Sequence, residues 1–211
     1  MPQQPSTNIL RDVAEYYTEK LREHGQTPRG VDWNGEESQF LRFSQLMKVI
    51  TPADAVSVND VGCGYGVMYE VLKTTFPQIR YTGYDVSEAM IDAARARYIG
   101  QPNADFVVSS EPRPADYGIA SGIMNVRMNH TDASWHAYMA DTLATLDRTS
   151  TKGFAFNCLT SYSDADKRRD YLYYANPGEW FDYCKRNFSR NVALLHDYGL
   201  YEFTILVRKN A

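Results

Sequence analysis

Val58-Asn59-Asp60-Val61-Gly62-Cys63-Gly64-Tyr65-Gly66 is the stretch that decides the reading of this chain. A short apolar run, residues 55–61, precedes the glycines. Residues 67–76, apolar at helical spacing, follow them and stop at Pro77. A strand that ends in clustered glycines and opens a helix makes a turn where a ligand can approach the backbone without meeting Cβ atoms. Nineteen residues beyond Gly66, Asp85 closes the next apolar run, in Gly83-Tyr84-Asp85-Val86-Ser87. A carboxylate in that place can accept hydrogen bonds from both hydroxyls of a ribose. The combination of strand, loop, helix and spaced acid therefore predicts a nucleotide-like ligand. No Gly-Lys-Ser/Thr follows, which excludes a P-loop. A dinucleotide site prefers G-x-G-x-x-G, whereas this loop is G-x-G-x-G with Asp60 two residues ahead of it.

Working outward, helices are predicted over residues 8–24 and 36–50, separated by a turn-rich stretch with Pro28, Gly30 and Asn34-Gly35. Beyond the glycine loop the pattern predicts strands at 79–84, 106–109, 117–124 and 153–159, with helices at 88–98 and 134–146. Residues 164–188 read as one or two helices broken at Asn176-Pro177-Gly178. Alternating strands and helices indicate an α/β fold with a parallel sheet covered by helices. Two final strands, 191–196 and 201–208, lie too close together for a helical crossover and must pair as an antiparallel hairpin.

Composition bounds the function. The chain has 211 residues, 44% of them apolar and 23% charged, as expected of one globular domain with a real core. No apolar run approaches the roughly 20 residues that span a bilayer. Residues 1–6 are polar, without the pattern of a signal peptide. Cys63, Cys158 and Cys184 are odd in number and far apart, so no disulfide framework is expected and the cytoplasm is the expected compartment. The net charge of −4 argues against nucleic acid as the main partner, and Lys167-Arg168-Arg169 reads as a solvated basic face. Sixteen tyrosines, flat apolar rings with polar tips, suit the walls of a small-molecule pocket.

At these residues the chain resembles the class I S-adenosylmethionine (SAM)-dependent methyltransferases. Their first motif is an acid, a hydrophobic residue and GCGxG, here Asp60-Val61-Gly62-Cys63-Gly64-Tyr65-Gly66. Their second is an acid at the end of strand two, a hydrophobic residue and often Ser, here Asp85-Val86-Ser87. The closing hairpin is similar too, and the resemblance spans residues 50–211. It implies a Rossmann-like seven-stranded sheet with helices on both faces, the last strand antiparallel, and an N-terminal helical cap. It divides the chain into a cap at 1–50 and a SAM-binding domain at 51–211, with a cap insertion near 160–190. It implies that Gly62, Cys63, Gly64 and Gly66 lie under the methionine part of SAM, that Asp60 helps place the amino group, and that Asp85 holds the ribose. Val86 and Met90 would flank the adenine. The family usually has Gly-Asp after strand three; Ser109-Ser110-Glu111 stands here, and Ser110 is the matching position for an adenine contact.

SAM brings an activated methyl group, so transfer needs in-line approach and exclusion of water, and a base only where the acceptor loses a proton early. The segment after the fourth strand, residues 121–130, falls at the crevice beyond the strands' carboxyl ends. Ser121 and Gly122 are small enough to pass close to SAM, Asn125 is a candidate to orient an acceptor, and His130 is the candidate base. His196 reads as a core or sheet-rim residue. No Cys or Asp stands at metal-site spacing from His130 or His136, so no metal is expected. Tyr16, Tyr17, Trp33, Gln39 and Arg42 are candidates to close over SAM, with Arg42 paired to its carboxylate. Tyr162, Tyr171, Tyr173 and Tyr174 are candidates for the acceptor wall.

The leading expectation is a methyltransferase acting on N or O of a small-molecule acceptor. A SAM- or S-adenosylhomocysteine (SAH)-binding protein without catalysis, an RNA methyltransferase and an NAD-dependent oxidoreductase are the alternatives. Whether the protein is a monomer or a homodimer is left open by the sequence.

Overall fold

A computed structural model describes residues 5–33, 35–53 and 55–209. Met1–Gln4 of the polar leader and Asn34 of the Asn34-Gly35 turn lie outside the described residues. Helix α1 (Pro5–His24) and α2 (Glu36–Leu46), the latter prolonged by a 3-10 turn (Met47–Val49), precede the alternating core. That core runs β1 (Ser57–Val61), α3 (Val67–Thr75), β2 (Arg80–Asp85), α4 (Glu88–Arg97), β3 (Ala104–Val108), β4 (Ala115–Ala120), α5 (Asp132–Thr149) and β5 (Ser150–Leu159). Then come α6 (Pro177–Asn187), β6 (Asn191–Leu195) and β7 (Glu202–Arg208).

The seven strands form one sheet in the order β3-β2-β1-β4-β5-β7-β6. The first five are parallel, while β7 runs antiparallel between β5 and β6. The Rossmann-like seven-stranded arrangement expected from the sequence is therefore present. Order reverses between β1 and β4, so connections leave on opposite faces there and a crevice opens beyond the carboxyl ends of the strands.

Side-chain alternation along the central strands feeds two cores. On one face Val58, Tyr81, Phe106, Ile119, Ala155 and Leu206 pack with α2, α3 and α4. On the other, Phe154, Phe156, Phe203, Ile205 and Val207 pack with α1, α5 and α6. Ile9 and Val13 of α1 belong to this second core, so the N-terminal helix is held by burial of its apolar stripe.

Two expectations need correction. The fourth strand stops at Ala120, not at residue 124, because Gly122 takes a left-handed φ of +79° and turns the chain. A bridge between Val126 and Leu172 then pairs the following segment with residues near 172. The proline and glycine of Asn176-Pro177-Gly178 begin a helix instead of breaking one. Asn176 accepts hydrogen bonds from Gly178 N and Glu179 N at 2.9 and 3.3 Å, and Pro177 occupies the first turn, where no N–H is needed. Upstream of it only a 3-10 turn, Ala165–Lys167, is helical.

Gly66 begins α3 with φ +85°, and a Cβ there would come within 2.8 Å of the Phe106 and Tyr98 rings. Gly66→Ala should lower stability by about 1–3 kcal/mol, from left-handed backbone strain and overpacking together. Urea unfolding of the two proteins measures it, and an unchanged midpoint would show that the helix can start without glycine.

Candidate functional site

The glycine loop is pinned from below and from the side. Gly62 N and Cys63 N both donate to Tyr84 O of β2, at 2.7 and 3.0 Å. Asp85, the last residue of β2, accepts Gly64 N on Oδ2 and Ser87 N on Oδ1, both at 2.9 Å. Each carboxylate oxygen is thus held by a backbone N–H. Burial raises the Asp85 pKa above the ordinary carboxylate range, opposed by those backbone hydrogen bonds. Ser87 caps α4 through Met90 N and also meets Thr18 Oγ1 of α1 at 2.8 Å, so α1 is tied to the end of β2.

A cavity of about 440 Å³ opens over these residues. It crosses the strand ends from Asp85, Val86, Met90 and Ser110 beside β2 and β3, past Asp60 and the loop, to Ser121 and Ile123 after β4. Its roof comes from the N-terminal elements: Leu10, Val13 and Tyr17 of α1, Val31, Trp33, and Gln39 and Phe43 of α2.

Asp60 is the electrostatic oddity of the site. It is 2% exposed; Oδ2 accepts Tyr81 Oη at 2.7 Å, while Oδ1 has no partner among the described residues. Burial is the main cause that lifts its pKa from an ordinary 3.8 to about 7; the Tyr81 bond lowers it and the Asp85 charge raises it. Ser121 Oγ, also buried and on the cavity wall, likewise lacks a partner among the described residues. An acceptor oxygen and a hydroxyl left unsatisfied on one wall suit a cationic, hydrogen-bonding ligand group. The Cys63 thiol, pushed far up by burial, stays protonated there.

Of the residues singled out in the sequence, Asp60, Gly62, Cys63, Gly64, Asp85, Val86, Met90, Ser110, Ser121, Tyr17, Trp33 and Gln39 line this cavity. The others do not. Gly66 packs under Phe106 and Tyr98. Arg42, expected at the SAM carboxylate, instead donates from Nε to Glu202 Oε2 at 2.8 Å behind Trp33. Asn125 accepts Leu159 N at 3.0 Å and Tyr173 N at 2.8 Å, a staple between the two loops. His130 pairs with Asp12 at 3.1 Å and stacks on Trp135. Tyr16 donates to Asp32, Tyr174 accepts Arg169 N, and Tyr162 stands 74% exposed.

Sequence reasoning missed Ile123, Phe43 and the α5 side chains Tyr138, Asp141, Thr142 and Thr145. The α5 residues sit at i, i+3, i+4 and i+7, a face that could have been marked as half polar. Burial raises the Tyr138 hydroxyl to about 12, so it stays neutral. Among the described residues no group of three or more His, Cys, Asp or Glu gathers as a metal site, and no helix is long and apolar enough to cross a membrane.

With this geometry in hand, comparison with known proteins is direct. The methyltransferase domain family matches residues 58–148, the stretch from β1 to α5. A Mycobacterium tuberculosis protein that carries the name of a methyltransferase is 54% identical over 164 residues, covering 77% of this chain and 99% of its own length. Trans-aconitate 2-methyltransferases of Paracidovorax citrulli and Rhodopseudomonas palustris are 37% and 32% identical, but the match covers only 30% and 42% of their lengths. In fold, the chain is similar to DhpI in its SAH complex, with TM-score 0.64, 15% identity, and 95% of this chain and 96% of that one covered. It is also similar to magnesium protoporphyrin IX methyltransferase from Synechocystis PCC 6803 with bound SAM, with TM-score 0.62, 14% identity and 99% of each chain covered. The chain belongs to the class I SAM-dependent methyltransferases.

A raised carboxyl pKa has a definite sign. Asp60 stabilises the fold fully below about pH 4, where it is protonated folded or unfolded, and that contribution is lost as pH rises through about 7. Asp60→Asn, which keeps an acceptor for Tyr81, should therefore melt higher than the wild type at pH 8 and show a flatter melting profile between pH 4 and 8. Differential scanning calorimetry of the ligand-free proteins reads this. Parallel profiles would mean that Asp60 is not strained by burial.

Proposed function

We propose that this enzyme binds SAM along the cavity and transfers its methyl group to N or O of a small-molecule acceptor. One observation carries the reading: a single cavity joins a two-oxygen acceptor, Asp85, to a buried carboxylate with an unpartnered oxygen, Asp60. The first suits a ribose diol and the second a cationic amino-acid end. Val86, Met90 and Ser110 would hold the adenine side. Gly62 and Gly64 would let the backbone approach the methionine part, and Ser121 Oγ would take one of its polar atoms. When bound, SAM supplies a sulfonium-activated methyl, which leaves with the S–C bond's electron pair remaining on sulfur as SAH forms.

The chain's own task is then to orient and dehydrate. Leu10, Val13, Tyr17 and Trp33 would exclude water above the site. Among the described residues no histidine lines the cavity, and Tyr17 and Tyr138 are held neutral by burial. Position, not a strong base, is what these side chains offer an acceptor that already has a lone pair. The small volume and the roof favour a small acceptor. The relatives named for trans-aconitate act, by that name, on a small carboxylic acid, which points the same way. Ribosomal RNA small subunit methyltransferase C of Yersinia pestis shares 55% identity over only 40 residues, 12% of its length. That short overlap and the net charge of −4 weigh against an RNA substrate.

Thermal shift with SAM, SAH and NAD, on wild type and Asp85→Ala, tests the cofactor. At about 100 times Kd a ligand adds roughly 2.7 kcal/mol of stability. SAM and SAH should raise the wild-type midpoint, and Asp85→Ala should lose most of the rise. No rise with a folded wild type would sink the reading. Methyl transfer from labelled SAM to small-molecule extract, and not to total RNA, is the outcome expected for the acceptor; labelled RNA would reverse that choice.

A further inference from the structure

Behind Trp33, α2, β4, β5 and β7 meet in a closed ring of buried contacts that the proposed SAM site does not itself use. Arg42 donates from Nε to Glu202 Oε2 at 2.8 Å, and Asn157 Nδ2 donates to the same oxygen at 2.6 Å. Asn157 Oδ1 accepts Gly122 N at 2.8 Å. Trp33 lies on Gly122, where an added Cβ would come within 2.5 Å of the indole. The Arg42 guanidinium closes the ring, 4.0 Å over the centre of the Trp33 rings. Arg42, Asn157 and Glu202 are 6, 0 and 1% exposed.

Such a cluster is poorly explained as a stabilising device. Desolvation offsets most of the attraction within a buried ion pair, and apolar residues of like volume would serve at least as well. This pair is also incompletely satisfied, because Arg42 Nη1 and Glu202 Oε1 have no partner among the described residues. What the ring does achieve is geometric. It fixes Trp33, on the cavity roof, and the Ser121-Gly122 turn, on its floor, relative to each other. No single element could do this: Trp33 precedes α2, Gly122 follows β4, and Glu202 begins β7. Because β7 is antiparallel, its first residue pairs with Leu159 and so reaches the carboxyl edge of the sheet, beside the crevice.

We propose that Arg42, Glu202 and Asn157 are positioning residues for the amino-acid end of SAM, acting through Trp33 and Gly122 without touching the ligand. The inference rests on the reading of the cavity as a SAM site. It explains why an arginine that does not line the cavity stacks on the tryptophan that does. It also makes Trp33 a reporter, since it lines the cavity while Trp135 and Trp180 are fully buried outside its lining.

The test is a fluorescence titration with SAH, the product, with calorimetric Kd in parallel. Trp33→Phe identifies the Trp33 signal. SAH should change wild-type emission, and Trp33→Phe should abolish the change. Glu202→Gln should lose at least half of it and raise Kd about tenfold, while its melting point stays within a few degrees of wild type. Arg42→Lys keeps the charge but loses the planar stack and the Nε donor, and should move both readouts the same way; it decides the matter if Glu202→Gln does not fold. Wild-type Kd and full emission change in whichever of the two folds would overturn the positioning role. So would Trp33→Phe retaining both. If wild type binds no SAH by calorimetry, the reading of the cavity fails, and this inference with it.

Discussion

The carboxylate of Asp85 is the constraint on which the site is built. Its two hydrogen bonds, to Gly64 N and Ser87 N, join the glycine loop after β1 to the start of α4 after β2. Without an acceptor there, two buried backbone N–H groups at the sheet's edge would lack partners, each a loss of about 1–3 kcal/mol. The same residue orders Ser87, which caps α4 and anchors α1 through Thr18. The loop, two helix ends and the roof are therefore registered on one side chain. That registry precedes any ligand, so the Asp85 carboxylate is already in place when one arrives.

What was legible in the sequence is what local pattern determines. Strand-glycine-helix at residues 57–75, the acid at Asp85, and the hairpin of β6 and β7 each follow from short-range spacing. Their placement in the sheet then follows from handedness and connection rules. Spacing is silent where distant partners decide. Nothing near Arg42 announces that Glu202, 160 residues later, will claim its guanidinium. Nothing near His130 announces Asp12, and nothing near Asn125 announces Leu159 N. Residues 164–175 carried polar and aromatic residues at ambiguous spacing. They fold as a 3-10 turn, Ala165–Lys167, followed by irregular chain that two isolated bridges, Val126–Leu172 and Thr160–Ala175, tie down. The α5 face was missed for a related reason: a threonine on a helix that abuts a cavity looks the same in sequence as one that abuts water.

The N-terminal helices show how a fold with a common core acquires a private cavity. The family match stops at β1 and α5, yet five of the roof side chains, Leu10, Val13, Tyr17, Val31 and Trp33, come from residues before α2. They are recruited by ordinary burial: Ile9 and Val13 join the core made by α5 and β5, and the polar face of α1 reaches Ser87, Asp32 and His130. The helix is held through this apolar stripe, while Leu10, Val13 and Tyr17 also face the cavity. On the proposed reading, acceptor choice belongs to these roof residues more than to the shared glycine loop.

Asp60 ties the chemistry of the ligand to the energetics of the fold. Holding its pKa near 7 instead of 3.8 is equivalent to a strain on the order of 4 kcal/mol when the group is ionised. A unit positive charge about 4 Å away at an effective dielectric of about 20 contributes roughly 4 kcal/mol in the opposite sense. The two magnitudes match. A cation on the cavity side of Oδ1 would therefore return Asp60 toward an ordinary carboxylate. Binding of a cation there below neutrality would release a proton, which a neutral ligand of the same shape would not do. SAM has two positive centres and SAH has one, and the buried acid faces one end of the cavity. If that end holds the ammonium, which both share, donor and product feel Asp60 alike. If it lies nearer the sulfonium, the product loses the stabilisation at the moment of transfer and the acid favours its release.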